Sequence, residues 1–386
     1  MVLLVVGGGA YLATRSSGND TNSAAVAARH TPITTTTTIP APTTTTTAPP
    51  PTSTGGVLRL IHTITGTISP KSVVASETGL VFAQNMMYRH TITVYDTNGN
   101  LVRTIPDSVD LTALGIPGHP GISRGAPVET AFTPDHAYAY VSNYSMYGAG
   151  FGPEGKDACS PASGFSNSFV YRVSVATLAI DQAIQVGAVP KYVAVTPDSR
   201  YVLVSNWCTY DESIVDTATH AEVKRIPLGP NPRGIVVSPD SKTAYVAVMG
   251  TTNIAVIDLA TFGVTWINGV GSGPRHLVID PAGKFIYATL NGAGQIVKID
   301  TTTHQVVGRV STGSAPRSMA ISADGQSLYV VNYDSGTVSK VSAATMAVEQ
   351  NVRTPSHPIG ITYERRTGTV WVACYSGEIL VFSDTP

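Results

Sequence analysis

The chain has 386 residues, 42% of them apolar and 13% charged, with 36 glycines, 17 tyrosines and a formal net charge of −1. So little charge beside so much Gly, Thr and Val suits an all-β domain and argues against a helical one. A net charge near zero also argues against general nucleic-acid binding, which needs a broad excess of Lys and Arg to displace counterions; a local basic patch stays compatible with it.

In chain order, the first segment reads as targeting rather than fold. Val2–Ala13 is apolar and Arg15 follows it. The run is shorter than the roughly 20 residues a spanning helix needs, and no basic stretch precedes it, as though translation starts upstream of Met1. Residues 1–15 are therefore expected to be the remnant of a membrane anchor or of a secretion signal. Ala25-Val26-Ala27 resembles a signal-peptidase site, but it lies far from the apolar run. Either reading exports the rest of the chain.

Residues 16–56 hold two threonine runs, Thr34–Thr38 and Thr43–Thr47, set among Pro32, Pro40, Pro42 and Pro49–Pro51. They offer no apolar face to offset chain entropy, and their prolines favour an extended, stiff backbone. This stretch is expected to be a disordered stalk, a spacer that O-glycosylation would suit.

From residue 57 onward the sequence repeats. Aligned prolines stand at Pro70, Pro127, Pro190, Pro232, Pro274, Pro316 and Pro358, and the last four intervals are 42 residues each. The two earlier intervals are longer, so two of the seven copies carry insertions. A Pro-Asp turn follows at Pro134-Asp135, Pro197-Asp198 and Pro239-Asp240, with Pro281 and Asp324 each keeping half of it. Aromatics fall thirteen residues after the proline at Tyr140, Tyr245, Tyr287, Tyr329 and Trp371, and acids twenty-six after it at Asp216, Asp258, Asp300 and Asp384.

Each copy reads as four short strands divided by turn residues; from Pro316 they are Ser318–Ser322, Leu328–Asn332, Thr337–Val341 and Val348–Arg353. Four strands in about 42 residues make a propeller blade. The last copy supplies only three strands, ending at Glu378–Phe382, whereas a spare strand, Leu58–Ile64, precedes the first. The expectation is a seven-bladed all-β propeller over 57–386, its ring closed by the N-terminal strand as the outer strand of the last blade.

Tyr140-Val-Ser-Asn143 and Tyr329-Val-Val-Asn332, together with the Pro-Asp turns, resemble the YVTN-type β-propeller repeat family, and 57–386 as a whole is similar to YncE-like periplasmic proteins. The resemblance implies the fold. It leaves function open, because such propellers include lactonase-like enzymes, surface-layer proteins and binding modules.

Both insertions map to one face of the disc. Residues 107–126 link blades one and two, and residues 144–168 form the loop between the second and third strands of blade two. The latter is rich in Gly and aromatics, Tyr147 and Phe151 among them, and is a candidate lid for stacking on sugars or flat ligands, the alternative being aromatics that pack on the disc. Cys159 in that loop and Cys208 in the matching loop of blade three stand on the same face of adjacent blades, and a disulfide, which export permits, is expected between them. Cys374 sits where other blades place Asn143, Asn206 and Asn332, and is expected to be a buried free thiol.

The clearest chemical pattern follows the prolines. Lys71, Lys191, Arg233, Arg275 and Arg317 each come directly after one, with Val128 and Ile359 in the other two blades. Five cations at equivalent positions would ring the channel mouth. They are either an anion site, with guanidinium forks suited to phosphate or carboxylate, or structural groups that pair with loop carboxylates and inter-blade carbonyls.

His276 and Glu129 hold equivalent positions in blades five and two, which the ring keeps far apart. His90, His119, His276 and His357 share this face without metal-ligand spacing, so no metal or other cofactor is expected. His136, His220 and His304 fall at turns of the opposite face and are expected to be solvated.

The leading reading is an exported, monomeric binding module of the cell envelope. It would sit on the outer face of the membrane through its N-terminal segment, or be secreted or periplasmic. It would recognise an anionic or glycan ligand or a protein partner. A purely structural envelope protein and a lactonase-like hydrolase at the channel mouth are the alternatives.

Overall fold

A computed structural model describes residues 56–385; the expected anchor or signal in 1–15, the stalk up to residue 55 and Pro386 lie outside the described residues. Seven antiparallel sheets make the described region a seven-bladed propeller. Within a blade the strands, here A to D, follow one another from the channel outward. Blade six shows the pattern: A is Pro316–Ile321, B Ser327–Asn332, C Thr337–Ser342 and D Val348–Arg353, each within one or two residues of the expected bounds. Successive A strands pack side by side, and A of blade seven packs on A of blade one.

B and C strands are buried along most of their length, because both sheet faces meet a neighbouring blade. Leu203 and Ile214 of blade three, for example, pack with Ile235, Val246 and Ile257 of blade four. D strands lie at the rim and alternate, as one face does in contact with water. The repeated aromatics are all buried, Tyr329 and Trp371 completely. The Pro-Asp turns are tied by their own carboxylates: Asp135 accepts from Thr133 Oγ1 at 2.5 Å and Asp198 from Thr196 Oγ1 at 2.6 Å.

The ring closes as the strand count requires. Val57–Ile64 pairs antiparallel with Glu378–Thr385 as strand D of blade seven. Asp384 breaks from its repeat equivalents here. Asp258 is exposed and Asp216 and Asp300 half-buried, and all three cap their C–D turns through Thr219, Thr261 and Thr303. Asp384 is buried and accepts from Lys340 Nζ at 2.7 Å and from Tyr329 Oη. Lys340 Nζ also donates to the Gly56 carbonyl at 2.6 Å, so one ammonium clasps both ends of the described chain to blade six.

Blade two departs from the four-strand pattern. Its A strand, Ile122–Phe132, and its B strand, Tyr138–Tyr147, run on past the channel as a long hairpin, and Ser108–Asp110 adds a fifth strand beside A. The two ends of the 107–126 insertion, 108–110 and 122–126, are thus strand, while 111–121 between them form turns and loop. Among the described residues no helix is long and apolar enough to cross a membrane.

Candidate functional site at the channel mouth

In blades two to seven the A–B pairing slips immediately after the aligned proline, as between Pro190 and Tyr192, Pro274 and Leu277, and Pro316 and Ser318. A bulge frees residues from the ladder and re-aims their side chains, and proline is tolerated as a first strand residue. In blades three to six the residue at the slip is the one that carries the charge, and Lys71 takes the matching place in blade one. Lys71, Lys191, Arg233 and Arg275 are buried and Arg317 half-buried, with Val128 and Ile359 completing the layer.

The five cations act strongly on one another. Burial first, then Arg233, Arg275, Arg317 and Lys191, hold the Lys71 ammonium well below its usual pKa. Burial and Arg233 bring Lys191 down to about 7 against the pull of Asp157. Burial, Arg233 and Arg317 likewise lower Arg275.

Two carboxylates answer them. Burial works against the charge of Asp157, but Lys191, which it pairs with, and Tyr144, which donates to it at 2.8 Å, hold it at about 2. Burial raises Glu129 to about 7, opposed by Lys71 and a hydrogen bond from Ser72. One fixed anion and one half-titrated acid therefore act on five basic side chains.

Some of the ring is structural, as one alternative held: Lys191 has Asp157, and Arg275 Nη1 donates to the Arg317 carbonyl at 2.7 Å. The rest is not so satisfied. Arg317 Nε is buried without a hydrogen-bond partner among the described residues.

Aromatic faces wall the cations from outside. Lys191 Nζ lies 4.0 Å from the Trp207 ring centre and 5.3 Å from that of Tyr144, and the Arg317 guanidinium lies 3.5 Å from that of Tyr333. Lys71 Nζ is 5.9 Å from the ring centre of Tyr375. Trp207, Tyr333 and Tyr375 follow the last residue of strand B, after Asn206, Asn332 and Cys374, and Tyr144 holds the same repeat position after Asn143 inside the longer B strand of blade two. That shared repeat position was the signal from which Trp207, Tyr333 and Tyr375 were legible, and the sequence reading did not use it.

One layer deeper, Glu129, Tyr192, His276 and Ser318 line a channel cavity of about 310 Å³. His276 Nδ1 accepts from the Met319 N–H at 3.3 Å, so Nε2 carries the proton and donates to Tyr192 Oη at 2.9 Å. Burial, Arg275 and Arg233 bring its pKa to about 3, which keeps the ring neutral. The wide separation expected of Glu129 and His276 does not hold at this depth. Both line the one cavity, and Tyr192, which feels the Glu129 charge, reaches across to His276.

Tyr147 and Phe151 pack within the insertions. Tyr147 Oη donates to Glu154 at 2.7 Å and its ring meets His90, while Phe151 stacks on His119 with centres 4.1 Å apart. Of the lid aromatics, Tyr144 reaches the cations. Cys159 and Cys208 form the expected disulfide, with Cα atoms 5.4 Å apart, and Tyr210 Oη donates to the Cys159 carbonyl beside it. Cys374 is a free, buried thiol that burial pushes up to about 12. On the opposite face His136, His220 and His304 are half-buried rather than solvated, and His220 Nε2 meets Arg172 at 3.1 Å. Among the described residues no group of three or more His, Cys, Asp or Glu is placed to hold a metal ion.

The family model of the YNCE-like beta-propeller matches residues 165–343, from blade two into blade six. Among solved structures, the fold is similar to that of a chain of Kuenenia stuttgartiensis hydrazine synthase, with a TM-score of 0.65 and 18% identity, covering 82% of this chain and 96% of that one. At that identity the likeness is one of fold. No curated protein matches the chain.

Proposed function

From the premise of a seven-bladed propeller that is YNCE-like over residues 165–343, we propose that the chain is an exported binding module of the cell envelope that takes an anionic ligand at its channel mouth. The observation that carries this reading is the uncompensated positive charge of the ring. A buried ion without a partner costs several kcal/mol, and here Lys71 is pressed by four other cations. An anion set among Lys71, Arg233 and Arg317 would turn that repulsion into attraction, and guanidinium forks match the oxygens of phosphate or carboxylate. An acidic glycan or the acidic surface of a protein partner would meet the same groups.

The disulfide supports export, since such bonds persist in oxidising compartments, and the Thr/Pro tract suits a tether to the membrane. A hydrolase at this mouth finds less support. His276, the imidazole that a base at this depth would use, has both ring nitrogens engaged, and a pKa brought down to about 3 by burial and Arg275 makes it a weak base.

The test is thermal unfolding of the full chain in phosphate, citrate and chloride at matched ionic strength. Phosphate or citrate should raise the midpoint, because a ligand that binds only the folded state stabilises it. An Arg233→Gln, Arg317→Gln double variant, shown folded by circular dichroism, should lose that rise. If neither anion stabilises the wild type, the purely structural role replaces this one.

A further inference from the structure

Beside the cation ring, on the face of the insertions, a groove of about 700 Å³ opens between blades six, seven and one. Ile68, Met87, Tyr88, Tyr333 and Tyr375 give it a largely apolar and aromatic lining, with Arg89 as its one cation among the described residues. Two of these residues belong to the ring as well. The face of Tyr333 carries the Arg317 guanidinium, and Tyr375 lies beside Lys71 and feels Arg317, Arg275 and Arg233. The groove and the cationic mouth are therefore continuous, sharing a wall of two tyrosines set edge to face at 85°.

The loop on the far side is held in an unusual shape. Tyr88 has φ of 64° and His90 φ of 51°, a left-handed backbone uncommon for bulky residues. Such strain persists only where surrounding structure enforces it. Here Ser69 does so, its hydroxyl donating to the Met87 carbonyl and its N–H to Asn85 Oδ1 at 3.0 Å. The outcome is a tyrosine 85% exposed at the groove edge, where folding alone gains nothing from it.

We propose that mouth and groove form one composite site for a small acid that carries a flat ring, an aryl phosphate or aryl carboxylate. Its anionic group meets Lys71 and Arg317, and its ring lies against Tyr333, Tyr375 and Tyr88. Aromatic faces reward a flat π-system over an alkyl chain of equal size, and the Met87 thioether adds a favourable sulfur–ring contact. This inference rests on the anion-site reading and narrows it.

Calorimetric titration of the full chain with inorganic phosphate, phenyl phosphate and hexyl phosphate separates the two. Phenyl phosphate should bind about tenfold tighter than inorganic phosphate, with hexyl phosphate gaining clearly less. A Met87→Ala, Tyr88→Ala double variant, which leaves every cation of the ring in place, should take away most of the gain of phenyl phosphate and leave inorganic phosphate unchanged. Arg317→Gln should weaken all three. If phenyl phosphate binds no tighter than inorganic phosphate, if hexyl phosphate gains as much, or if the double variant keeps the gain, the composite site falls while the anion site stands. If none of the three binds the wild type, the anion site fails and takes this inference with it.

Discussion

Tyr192 Oη lies 2.9 Å from His276 Nε2, a hydrogen bond that joins blade three to blade five across the layer beneath the cation ring. Blade four, between them, contributes Gly234 to that layer, and a Cβ there would stand 2.7 Å from His276 Cα and 2.8 Å from the Arg275 carbonyl. The missing side chain lets the adjacent A strands of blades four and five come close. The pair floors the cationic mouth, so an anion that enters from the insertion face meets a neutral imidazole and a phenol.

Gly234→Ala should therefore destabilise the propeller by about 1–3 kcal/mol, because the clash is with backbone that cannot rotate away. Tyr192→Phe should cost a similar amount, about 1–3 kcal/mol, by leaving the buried His276 N–H unpaired. Urea titration of both variants against the wild type gives the comparison; a change within error in either removes the corresponding contact from this account.

Stability in the absence of a ligand should pass through a shallow minimum near pH 7. Glu129 is raised from 4.5 to about 7 on folding, so its contribution is complete below 4.5 and is lost as pH rises to about 7. Lys191 is lowered from 10.5 to about 7, so its contribution is complete above 10.5 and is lost as pH falls to about 7. Chemical denaturation from pH 5 to 9 should show the dip, and Glu129→Gln should flatten its acid limb. A profile that climbs steadily to a maximum at pH 7 would contradict both assignments.

Lys71→Met should stabilise the free protein while weakening anion binding. It removes an ammonium held among four cations and replaces it with an apolar side chain of similar length. Loss of Lys71 also takes from Glu129 the cation that most opposes the effect of its burial, so that acid should titrate higher still. The expected gain is about 1 kcal/mol or more by urea titration; a loss of that size would mean that Lys71 is a structural group.

The clasp of Lys340 on Asp384 and Gly56 should govern how firmly the ring is shut. Both side chains are almost wholly buried, and removing one partner of such a pair costs about 3–5 kcal/mol because the other keeps its charge without the ion that balanced it. Lys340→Met should lower the unfolding free energy by that order and expose the strand 57–64 to protease before the rest of the disc. Uniform cleavage across the blades would argue that closure is not the weak point.

The blades were legible from local pattern. Turn residues, buried aromatics and the even spacing of prolines each act within one repeat or between neighbours. The strand deficit at one end and surplus at the other implied the closure that Val57–Ile64 makes with Glu378–Thr385. Loops on the same face of adjacent blades likewise implied the pairing of Cys159 with Cys208. What stayed hidden depends on more than neighbours. Asp384 matched Asp216, Asp258 and Asp300 in position, yet it faces Lys340 because at the seam its neighbour is the other end of the chain.

The sequence by itself determined that five cations would stand at equivalent places on seven blades, since a repeat carries each residue to the same point of its blade. Only the tertiary structure decided that they turn inward and crowd one another, that Tyr147 and Phe151 pack elsewhere, and that Tyr192 spans the channel to His276. The physical reason is geometric. In blades two to seven the slip after the proline aims these side chains at the channel, and distances across it are set by the summed curvature of all seven blades, which no single repeat encodes.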